Sequence, residues 1–290
     1  VAIVFSVLCA LVYGAGDFCG GLASKRTATL GVVVVAQFAG LVLLLVVLPF
    51  SGGAPVRSDW LWGAVCGISG GGAVGLLYRG LAIGKMGIVS PTTAVIAAAV
   101  PILFGVLARG ERPSWLAVGG IIAALFSVVC VSAAPDDASE SADDGARATR
   151  KLPPGVIEAL IAGVCFGAFF IALAQTRPEA GMYPLLAARI ATLAILTAGA
   201  FATRHGADLR VARPVLAIAL ACGVLDLAAN VLFMLAVRSG MISIVAVISS
   251  LYPASTVTLA AVLLGERLVR IQWIGVALAL GGVAAISAAR

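Results

Sequence analysis

Three ionisable side chains, Asp17, Arg189 and Asp226, stand inside long apolar runs of this 290-residue chain. A charge at the centre of a membrane helix costs about 2.5–3.5 kcal/mol on insertion scales, so such groups face a protein interior or a wet cavity. Asn230 follows Asp226 by one helical turn and shares its face. Arg189 must meet an anion, which is either Asp226, Asp17 or the carboxylate or phosphate of a substrate. Two roles stay open at this point. The charges form a substrate or proton site, with Asp226 as the coupling group, or they form an ion pair that only holds helices together.

Prolines extend the list of candidates. Pro91, Pro101 and Pro253 lie inside apolar runs and each removes a helical N–H, so freed carbonyls there are expected to line a cavity. Ser90, Thr92 and Thr93 surround the first break, and Ser249, Ser250, Tyr252 and Ser255 the last. Their hydroxyls either join the cavity, Tyr252 foremost, or bond their own helix.

Other chemistries find little support. Cys9, Cys19, Cys66, Cys130, Cys165 and Cys222 lie in apolar stretches without a CxxC pair and read as small packing residues, neither disulfides nor metal ligands. His205 is the single histidine and sits in a polar connection, so neither a zinc site nor a Ser-His triad is expected, and no cofactor is called for. The basic residues are scattered between apolar runs, which argues against nucleic acid despite a net charge of +6. Gly14-Ala15-Gly16-Asp17 matches the GxGD signature of intramembrane aspartyl proteases, with Asp226 as the second aspartate. The Tyr-Asp span and the Pro-Ala-Leu sequence of those enzymes are missing, so an enzyme is not expected. A non-transporting membrane scaffold is the remaining rival.

The elements that must carry these residues follow from composition. The chain is 62% hydrophobic and 11% charged, against about 45–50% and 25% for soluble domains. The bilayer is therefore its solvent, in a multi-pass protein of the plasma (inner) membrane. Apolar runs at 2–23, 30–50, 60–83, 88–108, 114–133, 155–176, 182–203, 214–237, 241–264 and 271–289 predict ten transmembrane helices. They are too long and too evenly apolar for barrel strands. The first is read as a retained span and not a signal peptide. Gly63, Gly67, Gly71 and Gly75 give the third span one smooth face and Gly70-Gly71-Gly72 makes the helix weak, so the stretch serves either close packing or an element that moves during transport.

A polar linker at 135–154 separates residues 1–134 from 155–290, five spans from five. Tyr13-Gly14-Ala15 resembles Phe166-Gly167-Ala168, Leu81-Ala82 resembles Leu235-Ala236, and Gly110-Glu111-Arg112 recurs as Gly265-Glu266-Arg267, at offsets of 153, 154 and 155 residues. With an odd number of spans per half, the second half runs inverted, so the fold expected is two inverted five-helix repeats. At that offset Arg189 falls near Gln37, Asp17 near Phe170 and Asp226 near Gly72. Gln37 thereby joins the candidates, and the unequal charges place a polar ligand off the pseudo-twofold axis. Glu111 and Glu266 are expected to anchor the helix that follows each.

The two Gly-Glu-Arg turns, the run from Pro253 to Glu266 and Gln272-Trp273-Ile274-Gly275 resemble the EamA-type branch of the drug/metabolite transporter superfamily. The resemblance implies a carrier of small metabolites or drugs with a central cavity between the halves, and both termini in the cytoplasm. The chain's own charges point the other way. Arg57, Arg109, Arg112, Arg177, Arg238 and Arg290 lie on the side of the termini, and twice as many Lys and Arg lie on the opposite side, which places the termini outside. No Walker A sequence appears. A secondary carrier by alternating access remains, an exporter or exchanger of small polar or amphiphilic molecules, driven by protons or facilitative.

Overall fold

A computed structural model describes residues 1–24, 26–83, 86–131, 154–202, 209, 211–264 and 269–288. The expected linker (but for Pro154), His205, Glu266 and Arg267 lie outside the described residues, as do the side chains from Met86 to Pro91. The described chain is all-helical: α1 (Ala2–Ser24), α2 (Thr29–Ser51), α3 (Arg57–Ile83), α4 (Met86–Ala108), α5 (Trp115–Val131), α6 (Val156–Ala174), α7 (Tyr183–Ala202), α8 (Arg213–Ser239), α9 (Ile242–Ser249), α10 (Tyr252–Leu264) and α11 (Arg270–Ala288). Six of these, α1 to α3 and α6 to α8, contain stretches long and apolar enough to cross a membrane. Their outward faces carry large apolar side chains such as Leu11, Phe38, Leu45, Ile161 and Val224. Hydrocarbon is the solvent these faces match. Exposed Trp60, Trp62, Trp115 and Trp273 stand at the first turns of α3, α5 and α11, where amphipathic rings suit a membrane–water boundary.

Helix packing follows a regular scheme. α1 lies on α8 and α3 on α6; α2 lies on α8 and α3 on α7; α1 meets α9 and α10, and α6 meets α4; α5 pairs with α11 and α2 with α7. The close approaches depend on glycine. A Cβ on Gly63 would stand 2.7 Å from the Ala187 Cβ, and one on Gly67 2.6 Å from that of Ala191, so α3 touches the α7 backbone itself. The small face expected from the four-residue spacing is thus used at Gly63, Gly67 and Gly71, whereas Gly75 faces open space. Gly67 against the Ala188 carbonyl has a counterpart in Gly223 against the Ala36 carbonyl, joining α8 to α2.

α3 runs unbroken through the triple glycine, with α6 and α7 packed along it and Phe169 over Gly70. Pro91 and Pro101 do not end α4, which is continuous from Met86 to Ala108; packed neighbours let a membrane helix absorb a missing N–H. The segment 241–264 is the broken one. Leu251 N–H bonds the Ile248 carbonyl at 3.2 Å in place of a full helical turn, and Pro253, buried at the second position of α10, supplies no N–H to resume the pattern.

Candidate functional site

Arg189 lies on the inner face of α7, in the register that puts Leu185, Ala188 and Thr192 on the same side. It is 4% exposed. Its Nη2 stands 2.6 Å from Asp226 Oδ2 of α8, and its Nη1 donates to Gln37 Oε1 of α2. The Nη2 contact is an ion pair off the line of a hydrogen bond, since that atom has no bonded acceptor. Gly40 makes room for it, because a Cβ there would stand 3.1 Å from Arg189 Cζ and 3.2 Å from the Gly223 carbonyl. The partner left open by the sequence is Asp226, and Asp17 is not bound to the guanidinium.

Around this pair opens a cavity of about 180 Å³, reached by α1, α2, α3, α4, α6, α7, α8 and α10. Asp17, Gln37, Arg189, Asp226, Asn230 and Tyr252 all line it, so the polar residues singled out above converge on one place. Asn230 donates through Nδ2 to the Asp226 carbonyl at 2.7 Å and accepts from the Tyr13 hydroxyl at 2.9 Å. Tyr13 meets Tyr252 edge to face with centroids 6.3 Å apart. Phe166, Phe169 and Phe170 form an aromatic wall, and Phe170 stacks on Phe233 at 4.4 Å beneath it.

Pro101 and Pro253 are not among the described lining residues, and Pro91 lies outside the described side chains. Pro101 is buried in α4 and Pro253 in α10, and α4 reaches the cavity through Ala97. The hydroxyls mostly serve the framework: Thr93 donates to the Ala159 carbonyl at 3.2 Å, Ser250 to that of Val247 at 2.7 Å and Thr192 to that of Gly67 at 2.9 Å. Gln37 and Arg189, 152 residues apart, bond directly to each other.

Sequence reasoning missed Tyr13, Gly40 and the Phe166–Phe170 wall. Signals existed: Tyr13 precedes Asp17 by one turn, and Ala36 and Gly40 form a small-residue pair flanking Gln37. It also missed the end of the molecule where the connections 52–56, 109–114, 175–182 and 240–241 meet. There Asp59, 1% exposed, accepts from Val56 N–H (3.0 Å), Arg177 N–H (3.1 Å), Arg177 Nε (3.2 Å) and Arg177 Nη2 (3.0 Å). Arg238 donates to the carbonyls of Arg177 and Gly181, and Arg109 to the Ala174 carbonyl and Gln175. Glu111 anchors α9 and not the helix after it: its carboxylate accepts from Ile242 N–H, Ser243 N–H and the Ser243 hydroxyl. A carboxylate at a helix N-terminus satisfies orphan donors and the helix dipole together.

The cavity lining runs from Arg189 to Gly20, Val32 and Leu77, within a few residues of the ends of α1, α2 and α3 opposite this network. A dense network thus joins the two parts of the chain at one end, while toward the other end, among the described residues, Arg79 and Glu158 pair at 3.6 Å. The EamA-like transporter family matches residues 1–133 and 153–288, nearly the whole chain. The chain belongs to this family. The EamA-like family is part of the drug/metabolite transporter superfamily, so the protein is a membrane transporter of that type, with a small-molecule substrate and a multi-pass membrane location. No curated protein matches the chain. A solved crystal structure of a protein is similar in fold, with a TM-score of 0.76 and 16% identity over 99% of this chain and 98% of that one.

Proposed function

We propose that this EamA-like protein is a secondary carrier that moves small polar or amphiphilic metabolites or drugs by alternating access, as an exporter or exchanger in the plasma (inner) membrane. Its units are the five-span halves 1–134 and 155–290, joined by the linker 135–154 and inverted with respect to each other. The packing supports this reading: exchanging α1 for α6, α2 for α7, α3 for α8, α4 for α9 with α10, and α5 for α11 turns each principal helix contact into another one present in the fold. The observation that carries the function is the cavity itself. Both halves line it, it holds a charge cluster at mid-helix depth, and one end carries a dense network of bonds between the halves, against the single Arg79–Glu158 ion pair toward the other end among the described residues. In the proposed cycle Asp17, Gln37, Arg189, Asp226, Asn230 and Tyr252 bind substrate or couple protons to it, and the bonds of Asp59, Arg109 and Glu111 to the second half break when the closed end opens.

An aspartyl protease needs two carboxylates sharing one proton. Asp226 is instead paired with Arg189, which fits a carrier better than that enzyme. The test is uptake and efflux in proteoliposomes against amino acids, sugars and cationic drugs, with and without a pH gradient. Saturable counterflow of at least one class is expected, and its absence for every class removes the carrier reading.

A further inference from the structure

The charges of the cavity do not cancel. Its lining holds two carboxylates, Asp17 and Asp226, against one guanidinium. That guanidinium is committed to Asp226 and Gln37. Asp17 is exposed toward the cavity and makes no hydrogen bond or ion pair among the described residues. Its neighbour Gly16 faces α8, where an added Cβ would stand 3.5 Å from Leu225 Cβ and 3.7 Å from Asp226 N.

The hydrogen-bonding groups are equally one-sided. The Tyr13 and Thr192 hydroxyls spend their donors on protein oxygens, as does one N–H of the Asn230 amide. What the cavity offers a ligand is the Asp17 carboxylate, the partly exposed edge of Asp226, the neutral amide nitrogens of Gln37 and Asn230, and the rings of Tyr13, Tyr252, Phe166, Phe169 and Phe170. An anion entering here would have to displace Asp226 from Arg189 and leave that carboxylate unpaired, which is costly in a partly desolvated place. A cation meets a carboxylate with no competing partner among the described residues and aromatic faces that attract positive charge.

Resting on the carrier reading above, we infer that the substrate is a monovalent organic cation with an apolar body, an amine or quaternary ammonium compound, with Asp17 as its counter-ion and the Tyr13–Phe166–Phe169–Phe170 side as the wall for its apolar part. Asp17 is here a binding residue. The Arg189–Asp226 pair stays closed while the ligand is bound.

Equilibrium binding of radiolabelled benzyltrimethylammonium to the purified full-length protein in detergent tests this. Saturable binding is expected that unlabelled cation displaces and that benzyl alcohol and phenylacetate do not. Asp17→Asn should weaken binding by about tenfold or more, the loss expected from one partly desolvated ionic contact. Asp17→Glu should keep most of it. If Asp17→Asn does not fold, as judged by its melting temperature, Asp17→Glu and the competitor series carry the comparison. Equal competition by phenylacetate or benzyl alcohol, undiminished binding in a folded Asp17→Asn protein, loss of binding in a folded Asp17→Glu protein, or no binding to the wild type overturns the inference. Counterflow of the same label in proteoliposomes separates the two proposals. Asp17-dependent binding without counterflow keeps the cation site and removes the carrier, whereas counterflow of another class by a protein that ignores the cation does the reverse.

Discussion

Two arginine–aspartate pairs divide the work of this molecule. Asp59 with Arg177 closes one end, where the carboxylate is saturated by two backbone and two guanidinium donors and is 1% exposed. Arg189 with Asp226 sits in the cavity, where a single off-line contact joins them and the Asp226 side chain is 30% exposed. Burying an ion pair stabilises only when the remaining lone pairs and protons are also satisfied. The first pair meets that condition and bolts the first half to the second. The second pair leaves acceptor capacity facing open space, which suits a group that exchanges partners. The difference in saturation, and not in distance, separates a fastening from a site.

The largest effect should come from breaking the fastening. Asp59→Asn leaves Arg177 and one of two backbone N–H groups facing an amide that accepts fewer bonds and brings its own donors, at a cost of roughly 2–4 kcal/mol. Detergent melting should fall clearly, and cysteines placed across that end should react faster with a membrane-impermeant reagent. An unchanged melting temperature and labelling rate would show that the end is held by something other than this carboxylate.

A smaller effect on stability, with a larger one on transport, is expected inside the cavity. Arg189→Gln and Asp226→Asn each remove one side of a pair that is partly solvated on its aspartate side, so each should cost about 1–2 kcal/mol, less than a fully buried pair would. The double variant should recover part of that loss, because no uncompensated charge remains. Counterflow should fall in all three. Strong rescue of melting together with normal transport would make this pair a second fastening and erase the comparison. If Asp226→Asn alone abolishes accumulation driven by a pH gradient but spares exchange, Asp226 is the coupling group.

Tyr13→Phe should do least. It removes one hydrogen bond to Asn230 while keeping the ring against Tyr252, worth about 0.5–1.5 kcal/mol. Asn230 retains its bond to the Asp226 carbonyl, so a modest change in substrate affinity with nearly unaltered melting is the expected outcome. A loss as large as that of Asp59→Asn would mean that the cavity's polar chain is itself a structural bolt.

Much of this architecture was legible in the chain because bilayer physics is local. An apolar run near the thickness of the hydrocarbon must be helical, whatever surrounds it, so the apolar segments were readable directly. A buried charge must face inward, so Asp17, Arg189 and Asp226 could be named as one group before their neighbours were known. Glycines every four residues announced the α3 face that meets α7. Where a local rule has two outcomes, the sequence stopped. Proline either breaks a membrane helix or bends it, and only the packing around α4 and around 250–251 distinguished Pro91 and Pro101 from Pro253. Arg189 had two possible aspartates, far apart in sequence and equal in chemistry, and the pairing with Asp226 was decided by which helix α7 reaches past Gly40. The bolt of Asp59, Arg177 and Glu111 was invisible from either end of the chain, because each bond joins residues more than a hundred positions apart and depends on four connections arriving at one place.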